Sequence, residues 1–437
     1  MIKWFRVKNF HSYLDDCTVD FTVNEQVTDC AFDYPLNNST KVAKVLGVFG
    51  ADASGKSNLV KAMAFISWFI SDSYKALNQG AQIPCFAHFA GNDQNTQIEV
   101  AFCFPKTNKA TTPAVSQSSN SSSEDEQTDL EYRYLVEFNQ HRVVFESLKS
   151  QTSKGTSVVF TRTFNPEKKH YVIQRNTNTL PTSDAILEQT PQNCSLISFV
   201  YRIETSQGIN PKPNKHNLVS LLGFLFSLNN SNIASVGGNN ELYDLNQATA
   251  MFAENSDLFD YVKHLLCQYD LGIDDISIEK STLPATADNI ASNFIVLCIH
   301  HNKGRPYPLP MSLESSTIQS AYKILAAIML RLKIGGMLIL DEFDNDLPPQ
   351  LSLKIINLFK DISQNPMNAQ LVFTSRCSPI LSPQIFNMIH KQHVYLTEKV
   401  DCRSQAWRAD ESGGSQERDN LYTKYANGVG HDIATFH

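Results

Sequence analysis

Residues 50–57 read GADASGKS, and this octet constrains the fold more than any other stretch of the chain. The apolar run KVLGVF leads into it and reads as a buried strand over roughly 44–49. Apolar residues at helical spacing follow from Asn58 to roughly Ser73. Strand, glycine loop and helix in that order make one β–loop–α unit. The pattern G-x-x-x-x-G-K-[ST] is met by Gly50, Gly55, Lys56 and Ser57. Glycines let backbone N–H groups turn inward on a polyphosphate, in conformations a side chain would forbid. The positive end of the following helix points at the same anion. The spacing predicts an ATP cradle over Gly50, Ala51, Asp52, Ala53, Ser54, Gly55, Lys56, Ser57 and Asn58. Lys56 is placed to neutralise β/γ-phosphate charge, and Ser57 to give its hydroxyl to Mg²⁺.

A phosphate loop needs a metal ligand from a second strand. Residues 337–342 read MLILDE, four apolar residues and then two carboxylates. A strand buried on both faces would deliver Asp341 at its end as the Mg²⁺ ligand. Glu342 is then placed to polarise an attacking water as general base. The alternative is a strand that simply ends in a solvated acidic turn. A carboxylate directly after the metal-binding aspartate argues against a small-molecule kinase, which has an acceptor substrate and needs no water-activating base.

Composition limits the partners. The chain has 437 residues, enough for two or three lobes, and its net charge of −7 provides no overall positive field for nucleic acid. Nine cysteines are scattered without a CxxC pair or a Cys/His cluster, so thiols of a reducing cytosol are expected rather than disulfides or zinc. MIKWFRVKNF lacks the apolar core of a signal peptide. The greasiest stretches, 217–226 and 324–340, are short or broken by Arg331 and Lys333, so no membrane span is expected and the location expected is cytoplasmic.

Elsewhere, the first residues alternate as a strand, as do 96–104, 131–138, 141–148 and 156–164. Between 106 and 129 a polar, serine-rich, acidic stretch cannot bury a core and reads as a disordered insertion. Residues 180–275 are mainly helical, with a polar break at NNSNIASVGGNN. Strands return at 274–279 and 293–301, then a helix at 313–333, a strand at 337–341, a helix at 350–363 and a strand at 370–375. His300–His301 reads as a strand-end pair more readily than as a metal site.

Taken in order, FRVKNFHSY, VFGADASGKSNLVKAM, LPMSLESSTIQSAYKIL, MLILDEFDNDLPPQL and LVFTSRCSPIL resemble the OLD-like ABC ATPases of bacteria. These are AAA-family ATPases with heads like those of SMC-type DNA-repair enzymes, frequent in anti-phage defence loci. YLTEK at 395–399 and LYTKYANGVG at 421–430 resemble the family's C-terminal strand and tail. The fold implied is α/β, an ABC-type P-loop NTPase head with a mixed-sheet core, an antiparallel β subdomain and an inserted helical lobe. Its expected parts are 1–105 (first part of the core), 106–129 (insertion), 130–180 (β subdomain), 181–275 (helical lobe) and 276–437 (rest of the core).

The resemblance further implies a homodimer or higher oligomer with ATP sandwiched between subunits. Each loop would face the partner's signature segment, Ser312 to Gln319, with Ser312, Ser315 and Ser316 reaching the γ-phosphate. Asp344 and Asn345 would sit on the loop that crosses the dimer seam. Departures from the family are Thr317 for a glycine, Arg376 for the switch histidine, Leu347–Pro348–Pro349 for LHP, and His11 for a basic residue. Arg376 can hold a γ-phosphate as a cation but cannot shuttle a proton. The family's glutamine could be Gln94 or Gln97, each also readable as a surface residue. Relatives that cut nucleic acid carry a further nuclease domain, so a separate effector protein, a nuclease or toxin, is implied, with a phage protein or DNA as trigger. Two alternatives stand beside this sensor: a DNA-clamping repair ATPase, and a nucleotide-binding scaffold without effective hydrolysis.

Overall fold

The chain opens with β1 (Ile2–Lys8) and β2 (Cys17–Asp20) and crosses a small sheet of β3 (Thr22–Val23), β4 (Asp33–Pro35) and β5 (Lys41–Ala43). It then reaches β6 (Val45–Gly50) and the 21-residue α1 (Lys56–Ala76). The computed structural model describes residues 1–23, 30–36, 40–78, 80–104, 130–153, 155–208, 217–233, 244–269, 272–280, 294–345, 347–375 and 390–411. The serine-rich insertion, Arg376 and the segment 421–430 lie outside these residues.

Alternation of apolar and polar residues produces the larger sheet. Strands β7 (Thr96–Cys103), β8 (Glu131–Phe138), β9 (Val143–Thr152), β10 (Gly155–Asn165) and β11 (His170–Arg175) form an antiparallel meander. They join β1 and β2 in the order β11-β10-β9-β8-β7-β1-β2. Helices α2 (Asp184–Leu187), α3 (Leu196–Ser206) and α4 (Leu218–Ser227) follow, and α3 and α4 pack on α1.

The polar break after α4 holds an element that its composition conceals. Asn230 and Ser231 form β12, which pairs in parallel with β16 (Met337–Leu340). The core sheet runs β12-β16-β17-β6-β18-β19, with β17 (Gln370–Ser375), β18 (Val394–Val400) and β19 (Arg403–Arg408). All its pairings are parallel except β18 with β19. Every residue of β6, β16 and β17 is buried, as a sheet covered on both faces requires. Leu46, Val48, Met337, Ile339 and Val372 face the core shared with α1. Val45, Phe49, Leu338, Leu340, Leu371 and Phe373 face a second core.

That second core is built from α5 (Leu245–Glu254), α6 (Ser256–Gln268), α7 (Ser316–Ile334) and α8 (Pro349–Leu358). The helices of 181–275 therefore divide between two cores. α8 stops five residues before the apolar pattern does. Asp361 accepts from Ser363 N and Oγ, both at 2.8 Å, and the buried Asn365 side chain takes the Phe359 carbonyl at 3.1 Å. Such side-chain bonds offer the backbone an alternative to the helix. A three-stranded sheet of β13 (Asp275–Lys280), β14 (Phe294–Asn302) and β15 (Arg305–Pro310) lies against α5 and α6. β15 carries Pro306, Pro308 and Pro310, tolerated because it is the outer strand. Among the described residues no helix is long and apolar enough to cross a membrane.

Candidate nucleotide site

The loop after β6 bends where only small residues fit. Gly55 has φ 114° and caps the N-terminus of α1. A Cβ on Gly55 would collide with Ser404 Oγ, and one on Gly50 with Thr397 Oγ1. Ala53 is also left-handed, at φ 61°. Ala51, Asp52 and Ala53 are exposed, whereas Ser54, Gly55 and Lys56 are buried. The Lys56 ammonium donates to the Gly50 carbonyl at 2.7 Å and the Ala51 carbonyl at 2.9 Å, so its charge stays inside the bowl of the loop.

The loop is braced from behind by residues that its own motif does not specify. Ser54 Oγ lies 2.7 Å from Thr397 Oγ1 on β18. Tyr13 donates to the Gly55 carbonyl at 3.3 Å. Asn58 Nδ2 donates to Ser12 Oγ at 2.8 Å, and Ser404 Oγ reaches the same hydroxyl at 2.8 Å. The Asn58 side chain, expected in the cradle, is thus bonded to the support. His11, beside Ser12, is pushed down to about 4 by burial and by Lys61, so it carries no charge near neutral pH.

The deciding contact joins two residues 284 positions apart. Ser57 Oγ donates to Asp341 Oδ1 at 3.1 Å. The same carboxylate oxygen accepts from Thr374 Oγ1 at 2.6 Å, and Glu342 N donates to Thr374 Oγ1 at 2.7 Å. Asn232, just past β12, clasps the Asp341 peptide, with its Oδ1 taking Asp341 N at 2.7 Å and its Nδ2 giving to Asp341 O at 2.8 Å. Among the described residues no cation pairs with Asp341. A partly buried carboxylate oriented by two hydroxyls offers oxygen ligands of the kind a divalent cation takes.

Glu342 turns away from the strand at φ 49°, and Asn345 Nδ2 donates to its Oε2 at 2.5 Å. Asp344 accepts from Ser375 Oγ at 2.7 Å at the end of β17. Ser312 and Ser316 are exposed, and Ser315 Oγ accepts Ile318 N at 3.4 Å as the N-cap of α7. Gln97 gives its side chain to Glu137 at 3.2 Å, and Gln94 is exposed in a turn.

Sequence reading missed Thr374, Asn232, Ser12, Thr397 and Ser404. Each is one ordinary polar residue in a strand or loop, and only the tertiary fold places it. It also missed the approach of Cys30, Asp33 and His393, whose ligand atoms lie within 4.8 Å of one another. His393 Nε2 is 2.7 Å from Asp33 Oδ1, while its Nδ1 accepts His390 N at 3.1 Å. With both ring nitrogens spent, this cluster is a hydrogen-bonded brace at the start of β18. The eight described cysteines form no disulfide.

Residues 211–375 match a family profile described as "AAA domain, putative AbiEii toxin, Type IV TA system". The matched stretch includes Asp341 and Glu342 and stops short of the loop at 50–57. No curated protein matches the chain. Similar solved structures include an SMC head bound to the C-terminal winged-helix domain of ScpA, at 10% identity and TM-score 0.43, covering 94% of this chain and 99% of that one. The SMC head domain from Thermotoga maritima has 10% identity and TM-score 0.36, with 93% and 98% covered. An Smc head with an extended coiled coil, bound to the C-terminal domain of ScpA derived from Pyrococcus furiosus, has 11% identity and TM-score 0.40, with 99% of each chain covered.

Proposed function

We propose that the chain binds ATP with Mg²⁺ on the loop 50–57 and hydrolyses it slowly, as the nucleotide-gated sensor or scaffold of a bacterial defence system. The observation that carries this reading is the contact of Ser57 with Asp341, which sets a phosphate cradle against an acidic strand tip. Ser57 and Asp341 would hold the metal, with Thr374 fixing the carboxylate's orientation. Mg²⁺ bound there would supply neutralisation of phosphate charge. Lys56 withdraws charge from the same phosphates, and the α1 N-terminus orients them. Glu342, at the strand tip beside Asp341, accepts a proton from the attacking water. Ser312, Ser315 and Ser316 would approach a second subunit's nucleotide, giving an ATP-dependent dimer. The profile matched by 211–375, described as an AAA domain and putative toxin of a toxin–antitoxin system, supports a nucleotide-binding role in such a system; the separate effector and the phage trigger rest on the family resemblance alone.

The test is equilibrium binding of a fluorescent ATP analogue, with turnover measured beside it. Binding should require Mg²⁺ and disappear in Lys56→Ala, whereas Glu342→Gln should keep binding and lose about 10²–10⁴-fold in turnover. Binding unchanged by Lys56→Ala would sink the reading. For the defence role, Lys56→Ala should abolish phage protection in cells, and a stoichiometric effector should copurify from the native operon.

A further inference from the structure

The segment that carries Ser312, Ser315 and Ser316 meets β14 of the β13–β15 sheet through Met311, whose Sδ lies 3.8 Å from Cys298 Sγ, and through Glu314. Met311–Leu313 forms a 3-10 turn, and Glu314 N closes it on the Met311 carbonyl at 3.1 Å. The Glu314 side chain is only 7% exposed, and its Oε1 lies 2.7 Å from His300 Nε2 at the end of β14. The other ring nitrogen of His300, Nδ1, lies 2.6 Å from the Gly272 carbonyl. Both nitrogens therefore face acceptors. A neutral imidazole has one N–H and can satisfy only one of them; an imidazolium satisfies both. Gln319 secures the segment from the other side, donating to the Ser312 carbonyl at 3.2 Å and the Glu314 carbonyl at 2.9 Å.

We infer that His300 is a positioning residue, a proton-dependent clip that fixes Glu314 and through it the serine segment 312–316. The titratable groups around the clip are Glu314, Asp274, His301 and the Cys298 thiol, which also bonds Glu314 and which burial keeps protonated. Asp274 is engaged by His301, through N at 2.7 Å and Nδ1 at 3.1 Å, so Glu314 is the carboxylate in contact with His300. The hydrogen bond that His300 donates to the Glu314 carboxylate raises the His300 pKa above its ordinary value. The raised pKa sets the sign. The clip is fully closed below about 6.5, the unfolded value, and opens as pH rises through the higher folded value.

That the segment serves a nucleotide rests on the function proposed above; the clip itself does not. Two measurements on the full chain separate them. The first is amide exchange of residues 312–319, corrected for intrinsic rates, at about pH 6 and about pH 8. Protection should fall ~2- to 5-fold at the higher pH, the scale of a part-exposed ion pair. His300→Gln should be low at both values, and His300→Lys should stay high at both. Protection that is indifferent to pH, or unchanged in His300→Gln, overturns the clip. The second is the pH profile of Mg²⁺-dependent ATP turnover, which should lose its alkaline decline in His300→Lys. A pH-sensitive segment in a chain that neither turns over nor binds ATP would keep the clip and remove the nucleotide reading.

Discussion

Asp341 and Glu146 are two carboxylates that receive nearly the same hydroxyls and end in opposite conditions. Asp341 Oδ1 accepts from Ser57 and Thr374, while Glu146 Oε1 accepts from Tyr134 and Ser195, each at 2.8 Å. Glu146 lies in the antiparallel sheet at 0% exposure and also takes the N–H of Leu196 at the start of α3. The Arg162 guanidinium, equally buried, stands 3.4 Å away and caps the carbonyls of Cys194 and Pro191 at 2.9 and 2.7 Å. Around Glu146 the charge is answered within the chain. Around Asp341 it is oriented and left unanswered by any described cation. Glu146 has a guanidinium beside it, and Asp341, of similar hydroxyl surroundings, has no described cation.

Breaking that contrast begins with the largest effect. Glu146→Ala should cost about 3–5 kcal/mol in urea unfolding, because it strands a buried guanidinium. Asp341→Asn should change folding by under about 1 kcal/mol while abolishing Mg²⁺-dependent stabilisation by ATP. Equal costs at the two positions would erase the distinction. A finer measure is Thr374→Val. It removes the hydroxyl shared by the Asp341 carboxylate and the Glu342 amide, and should cost about 1–3 kcal/mol. ATP affinity should fall with it, most visibly at low Mg²⁺. Away from the carboxylate, Asn232→Ala should cost about 1 kcal/mol of stability, less than Thr374→Val. A larger loss there than in Thr374→Val would place the weight of the site on β12 instead of β17.

The same two regions differ in how far they can be read from residues alone. GADASGKS and MLILDE announce their chemistry locally, because a phosphate loop needs glycines at fixed offsets and a buried strand needs an apolar run. Both are where the spacing puts them, and the strands around them were legible from alternation. Thr374 and Asn232 announce nothing. Thr374 follows Phe373, the register partner of Leu340, and Asn232 follows Ser231, the partner of Ile339. Only those pairings carry them to the carboxylate. Asn232 in particular sits in a polar break that looks like loop composition, and two residues of strand suffice to commit it. The Glu146–Arg162 pair is equally silent, since charged residues in alternating strands read as solvent-facing until the fold buries them.

The outer strand of the smallest sheet has a bearing on assembly. Pro306, Pro308 and Pro310 share one parity along β15, so the strand's hydrogen bonds to β14 run through Arg305, Tyr307 and Leu309. The positions turned outward then present carbonyls and no N–H at all. No further strand can be zippered onto that border, from a second copy or from an unfolded neighbour. The border beside the serine segment is sealed against aggregation.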